Sequence, residues 1–274
     1  MEIERIAAFA LGGEGGNPAG VVIGEALPSP AEMQRVAREV GYSETAFAAR
    51  DGAGWQVRYF APEGEVAFCG HATIALGAAL GRRFGAGVYA LQLSQARITV
   101  EAMAGPEGWQ AALASPPTHS RAMPEVLRDA LLAGFGLTEA DLDPSLPPSL
   151  ANAGVTHGVL ALASRGKLAA MDYDFAPMRA LMLREGLTTI SLLWRESAGV
   201  IVSRNAFASG GVVEDPATGA AAAALAGLLR DLGQGTGQFT LRQGEDMGAP
   251  SKLEVSAGPE AGGSVRVAGL ARWL

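Results

Sequence analysis

Phe68-Cys69-Gly70-His71-Ala72-Thr73 has a counterpart in the second half of the chain, Glu214-Asp215-Pro216-Ala217-Thr218-Gly219-Ala220. In each, a glycine stands at the mouth of an alanine-rich run, Ile74 to Leu80 after the first and Ala221 to Leu229 after the second. The two glycines lie 149 positions apart in a chain of 274. A helix start leaves its first N–H groups without intrahelical partners, and its dipole favours negative charge. Two such starts on two similar halves predict that both serve one anionic substrate held between the halves.

Other pieces repeat at nearly the same offset. Ser29-Pro30-Ala31-Glu32 predicts a capped helix start, with a capping box and proline at the first helical position. Met33, Val36, Ala37 and Val40 share one face, and Gly41 ends the helix. Pro177 predicts a second helix start 147 positions later, running to Glu185. Val57-Arg58-Tyr59-Phe60-Ala61 resembles Ser203-Arg204-Asn205-Ala206-Phe207-Ala208, with the arginines 146 apart. Alternation predicts strands over 45–49, 56–60, 88–94, 97–102 and 109–114, then over 156–163, 188–194 and 200–203. The proline-rich stretch Ser115 to Pro124 has little periodicity and reads as the crossing between halves. The period is too long for a solenoid, so the expectation is two diverged copies of one domain.

Half the residues are apolar (49%) and 18% are charged, enough apolar content for substantial cores. A net charge of -7 and the lack of a basic stripe argue against a nucleic-acid partner. A single cysteine precludes an intramolecular disulfide and fits a reducing compartment. Neither a secretory signal nor an apolar run of membrane-spanning length is visible, so the expected location is the cytoplasm, away from membranes.

Three side chains stand out for chemistry. His71, next to the first glycine, titrates near neutrality and can hydrogen-bond a substrate or donate a proton, or be a partly buried imidazole. Asp215, four residues before the second glycine, is a carboxylate beside an anion-binding helix start, or an Asp-Pro turn former. Glu214 beside it reads as solvated. Glu44, in Ser43-Glu44-Thr45-Ala46-Phe47, enters an apolar strand, where lost hydration favours a general acid/base; an exposed loop acid is the alternative. Asn17 follows the glycine-rich loop 12–16, which lacks a P-loop lysine and a dinucleotide fingerprint, and it is a candidate to face the substrate. His71, His119 and His157 are too scattered for a zinc site, no Gly-x-Ser-x-Gly elbow occurs, and Cys69 alone reads as a buried inert thiol. No zinc site is expected.

Taken together, Asn17-Pro18-Ala19-Gly20-Val21-Val22, Ser43 to Phe47, Tyr59-Phe60-Ala61-Pro62, Glu65 to Thr73, Glu214 to Gly219 and Gln243 to Ser251 resemble the PhzF family. That family, named for the isomerase of phenazine biosynthesis, falls within the diaminopimelate-epimerase superfamily. The resemblance implies an α+β fold of two pseudo-symmetric diaminopimelate-epimerase-like domains, each a curved, mostly antiparallel sheet around a central helix. The domains would be 1–114, with the C-terminal strand 262–274 returning to it, and 115–261, with the active site in the cleft between them. It further implies a cofactor-independent isomerase of a small carboxylate-bearing metabolite, and a homodimer. Glu44 would move the proton, His71 and Asp215 would assist catalysis, and Asn17, Gly70, Thr218, Gly219 and Ala220 would bind substrate. Ala220 departs from the serine of the phenazine enzyme, which keeps the backbone donor and removes a hydroxyl. A catalytically inactive metabolite-binding protein of the same fold is the alternative reading. A thiol-dependent epimerase ranks below it, since a second thiol is lacking.

Overall fold

The computed structural model describes residues 1–94, 96–234 and 237–274. The chain divides into two compact units, Met1–Ala114 with Ala268–Leu274, and Ser115–Val267.

The first unit runs β1 (Glu4–Ala10), β2 (Asn17–Gly24), α1 (Pro30–Val40), β3 (Thr45–Asp51), β4 (Gly54–Phe60), β5 (Glu65–Val66), α2 (Gly70–Phe84), β6 (Gly87–Gln92), β7 (Arg97–Gly105) and β8 (Gly108–Ala114). Strand β2 pairs parallel with β3 and antiparallel with β1; β4 pairs antiparallel with β3 and β5 and parallel with β6, which pairs antiparallel with β7. The second unit runs β9 (His119–Ala122), α3 (Glu125–Gly134), β10 (Ser149–Asn152), β11 (Thr156–Ala161), α4 (Arg165–Ala169), α5 (Phe175–Glu185), β12 (Thr189–Ser197), β13 (Val200–Ala206), β14 (Glu214–Asp215), α6 (Gly219–Asp231), β15 (Gly237–Gln243) and β16 (Ser251–Ala257). Its pairings repeat the first unit's. Strands β10/β11 are antiparallel, β11/β12 parallel, β12/β13 and β13/β14 antiparallel, β13/β15 parallel and β15/β16 antiparallel. The last strand, β17 (Val265–Trp273), pairs antiparallel with β1 from Leu270 to Trp273. The architecture is thus an α+β fold made twice, with mixed, mostly antiparallel sheets.

Each unit packs its strands onto a central helix. Helix α2 touches β1, β2, β3, β6, β7 and β8, and every residue from His71 to Gly81 is buried. Helix α6 packs on β9, β10, β11 and β16, with Ala221 to Arg230 buried. Small residues permit this. A Cβ on Gly77 would lie 2.4 Å from Val100 Cγ2, and one on Gly81 would lie 2.7 Å from both Ala102 Cβ and the Trp109 ring. In α6, a Cβ on Gly227 would meet Thr118 at 2.6 Å. A glycine in a helix costs about 1 kcal/mol of propensity relative to alanine, a loss offset here by strands packed against the helix backbone.

Three expectations need correction. Ser29 Oγ accepts from the Glu32 N–H, but the Glu32 carboxylate turns to Arg35, so only half of the capping box is used. Helix α5 begins at Phe175, which puts Pro177 in its first turn, where no N–H is required. The crossing 115–124 contains β9, whose backbone finds ladder partners on β10 despite its weak pattern.

Candidate active site

Helix α2 begins at Gly70 with Cys69 at its N-cap, and no side chain caps it. The first helical bond runs from Thr73 N to Cys69 O at 3.0 Å, so the N–H groups of the preceding turn point out of the helix end. Thr73 Oγ1 also donates to Cys69 O at 2.7 Å and meets Tyr59 Oη at 2.6 Å, which fixes the turn from below. Burial drives the Tyr59 phenol well above its usual range, so it stays neutral. A Cβ on Gly70 would enter open space, leaving this backbone accessible to a ligand.

Against this helix end stands Glu44, at the entry to β3. Its carbonyl accepts from Gly20 N at 3.1 Å, which ties it to β2. A Cβ on Gly20 would lie 2.6 Å from Thr45 Oγ1, so only glycine lets β2 approach this closely. Glu44 Oε2 lies 3.4 Å from Cys69 Sγ and 3.4 Å from His71 Nε2. Cys69 Sγ also lies 3.4 Å from His71 Nδ1, and Ser43 Oγ is 3.3 Å from His71 Nε2. The side chains of Glu44 and His71 are 20% and 10% exposed, enough for a small molecule to reach the carboxylate. Cys69 is buried as expected, with the Glu44 carboxylate and the His71 imidazole as its neighbours. Asn17 opens β2 opposite Ala8 and is 2% exposed.

The second unit carries a related arrangement. Helix α6 begins at Gly219 after Thr218, again with no side-chain cap. Thr218 Oγ1 donates instead to Asp215 Oδ2 at 2.5 Å. Gln243, fully buried, holds the loop from behind. Its Nε2 donates to Asp215 O at 2.6 Å and to Thr218 Oγ1 at 3.1 Å, while its Oε1 accepts from Thr218 N at 3.2 Å. Gly244 follows at φ 77°, where a Cβ would collide with Ala249 O at 2.2 Å and Pro216 O at 2.8 Å. The latching role of this Gln-Gly pair depends on contacts with residues 25 and more positions away, which the local sequence does not reveal.

Glu214 corrects an expectation. Far from being solvated, its side chain is 4% exposed and forms an ion pair with Arg204, Nη2 to Oε2 2.6 Å, while Arg204 Nη1 donates to the carbonyls of Ala169 and Met171. Asp215, Thr218, Gly219 and Ala220 are half-buried, on the accessible side of the same turn.

The fold is shared with a PhzF-family protein and with a hydroxyproline epimerase. A PhzF-family protein of Bacillus anthracis superposes with a TM-score of 0.86 at 21% identity, covering 100% of this chain and 98% of the other. A hydroxyproline epimerase of Agrobacterium vitis follows the same path, with a TM-score of 0.63 at 13% identity, 99% of this chain and 90% of the other. The sequence profile of phenazine biosynthesis-like (PhzC-PhzF) proteins matches residues 6–273, and the chain belongs to that family. Among its relatives, an uncharacterized isomerase of Deinococcus radiodurans is 30% identical, covering 92% of this chain and 85% of the relative. The trans-2,3-dihydro-3-hydroxyanthranilate isomerase of Pseudomonas fluorescens is 31% identical, covering 92% and 88%. No helix among the described residues is long and apolar enough to cross a membrane.

Proposed function

We propose that this protein is an isomerase that moves a proton between carbons of a small carboxylate-bearing metabolite, with Glu44 as the general acid/base and without a cofactor. The observation that carries the reading is the position of the Glu44 carboxylate, 3.4 Å from both Cys69 Sγ and His71 Nε2 at an uncapped helix end. Glu44 takes a proton from a carbon made acidic by a neighbouring unsaturated or carbonyl group and returns it to another carbon. The proton count closes, and the substrate leaves as its isomer. His71 and the Cys69 thiol hold the carboxylate in place, and His71 can relay a proton to the substrate.

The uncapped starts of α2 and α6 support the substrate-binding part of the proposal. Backbone N–H groups at Gly70 in one unit, and at Gly219 and Ala220 in the other, are each donors suited to a carboxylate, and Asp215 and Thr218 are partners for an amine or hydroxyl. Asn17 belongs to this proposal as a further polar contact. The family resemblance extends the reading to a cytoplasmic protein that is a homodimer, and sedimentation of the purified protein tests the dimer.

The experiment is solvent exchange. The chain is incubated in D₂O with trans-2,3-dihydro-3-hydroxyanthranilate, the compound named in one relative's activity, and with a panel of small unsaturated amino acids. Deuterium appearing on carbon, or isomer forming, supports the isomerase. Saturable binding of a panel member with neither is the behaviour of a binding protein that has lost catalysis.

A further inference from the structure

We infer that the second unit carries a ligand site apart from the candidate active site, a pocket for a compact monocarboxylate with an apolar body. The pocket is a cavity of about 250 Å³ bounded by the β12–β13 hairpin, the later turns of α6 and β15. Its apolar floor is Ile201, Ala226 and Leu229, all buried. Ala226 and Leu229 lie two to three turns beyond Gly219, about 10–15 Å along the helix, so the pocket is distinct from the helix start that offers its N–H groups.

The polar wall is cationic. Arg195 and Ser197 flank a bulge in β12, where pairing shifts from Arg195↔Ile201 to Ser197↔Val200. Glu196, between them, is engaged elsewhere, with Oε2 2.9 Å from Arg242 Nη1. Among the described residues Arg195 forms no ion pair. Its Nη2 donates to Gln234 Oε1, and its Nε is buried without an acceptor. Gln234 donates in turn to Ser145 O, which fixes the amide that holds the guanidinium. Ser197 Oγ accepts from Gly199 N at 3.4 Å, leaving its own proton to donate.

These groups select the ligand. A guanidinium short of acceptors and a hydroxyl donor call for an anion, and the arginine fork matches a carboxylate through parallel N–H bonds. A buried N–H without a partner carries a desolvation cost that such a ligand relieves. The apolar floor favours a hydrocarbon body over a bare anion such as phosphate. Ligand pockets usually measure about 300–1,000 Å³, so this one suits a single-ring aromatic or short branched aliphatic acid. The inference is independent of the isomerase reading, in which neither Arg195 nor Ser197 takes part.

The test uses the full chain with benzoate as the probe. Crystals are soaked in 4-iodobenzoate to locate the iodine by anomalous scattering, and benzoate affinity is measured by calorimetry. The expected result is an iodine position in the pocket, with the carboxylate on Arg195. Arg195→Gln, with folding checked by circular dichroism, should remove that position and weaken benzoate binding there by roughly 10–100-fold. Benzamide, the neutral counterpart, should bind the parent more weakly by a similar factor, and inorganic phosphate should not displace benzoate. Iodine found only at the starts of α2 or α6, or equal affinity in parent and folded Arg195→Gln, overturns the site. Displacement by phosphate overturns the ligand class. The soak reads the parent alone, so it decides the claim even if Arg195→Gln does not fold and even if no substrate exchanges.

Discussion

Arg204 clasps Glu214 through two hydrogen-bonding nitrogens, Nε at 3.1 Å from Oε1 and Nη2 at 2.6 Å from Oε2. The same pair recurs in the first unit, where Arg58 Nε and Nη2 lie 2.7 and 2.5 Å from the Glu65 carboxylate. Each pair bridges a long strand to a two-residue strand that leads into the central helix. The two differ in burial: Arg204 and Glu214 side chains are 12% and 4% exposed, Arg58 and Glu65 26% and 35%.

That difference predicts unequal costs. Removing Glu214 strands a buried guanidinium, so Glu214→Ala should destabilise the protein by about 3–5 kcal/mol. Glu65→Ala breaks a partly solvated pair and should cost about 1 kcal/mol or less. Urea denaturation of the two variants checks this; equal losses would remove the distinction.

Gly20→Ala tests how Glu44 is positioned. The added methyl must push Thr45 away from β2, and Glu44 moves with it. Misplacement on the order of 1 Å costs about 10²-fold in rate. The expected outcome is a folded protein with kcat lowered far more than KM is raised, measured on whichever compound shows exchange. Unchanged kcat would mean that Gly20 has no hold on the site.

Gly81→Ala sets helix propensity against packing. Alanine gains about 1 kcal/mol of propensity, while overpacking a filled core costs about 1–3 kcal/mol. The clash is with Ala102 Cβ and the Trp109 ring, neither of which is a flexible chain end, so a lower melting temperature is expected. A higher one would show that α2 has room the structure does not display.

His157 supplies a pH dependence. It is fully buried, its Nδ1 lies 2.8 Å from Thr189 Oγ1, and burial pushes its pKa down from 6.5 to about 4. Between those values the unfolded chain takes up a proton that the folded chain refuses. Stability therefore falls as pH drops from 6.5 towards 4, by about 3 kcal/mol from this group. In His157→Gln the slope of stability against pH in that window should flatten relative to the parent; parallel slopes would contradict the assignment.

The repeated fold was readable in sequence because its signals are local. The small-residue runs after Gly70 and Gly219 and the apolar face of Met33, Val36, Ala37 and Val40 mark helices without knowledge of their partners. What escaped depends on contacts distant in sequence. The strand β9 is held by pairing with β10, and Gln243 earns its role from a loop 25 residues earlier. Glu214 reads as solvated until Arg204 is placed beside it. Glu44 and His71 were visible singly. Their meeting around Cys69 arises only when β3 and α2 fold together.

The most direct test of the central claim is the rate of deuterium transfer from D₂O to substrate carbon, compared between the parent and Glu44→Gln. With folding confirmed by circular dichroism, the expected result is exchange and isomerisation in the parent and a loss of about 10²–10⁴-fold in the variant. A folded Glu44→Gln protein that exchanges and turns over at the parent's rate would contradict it.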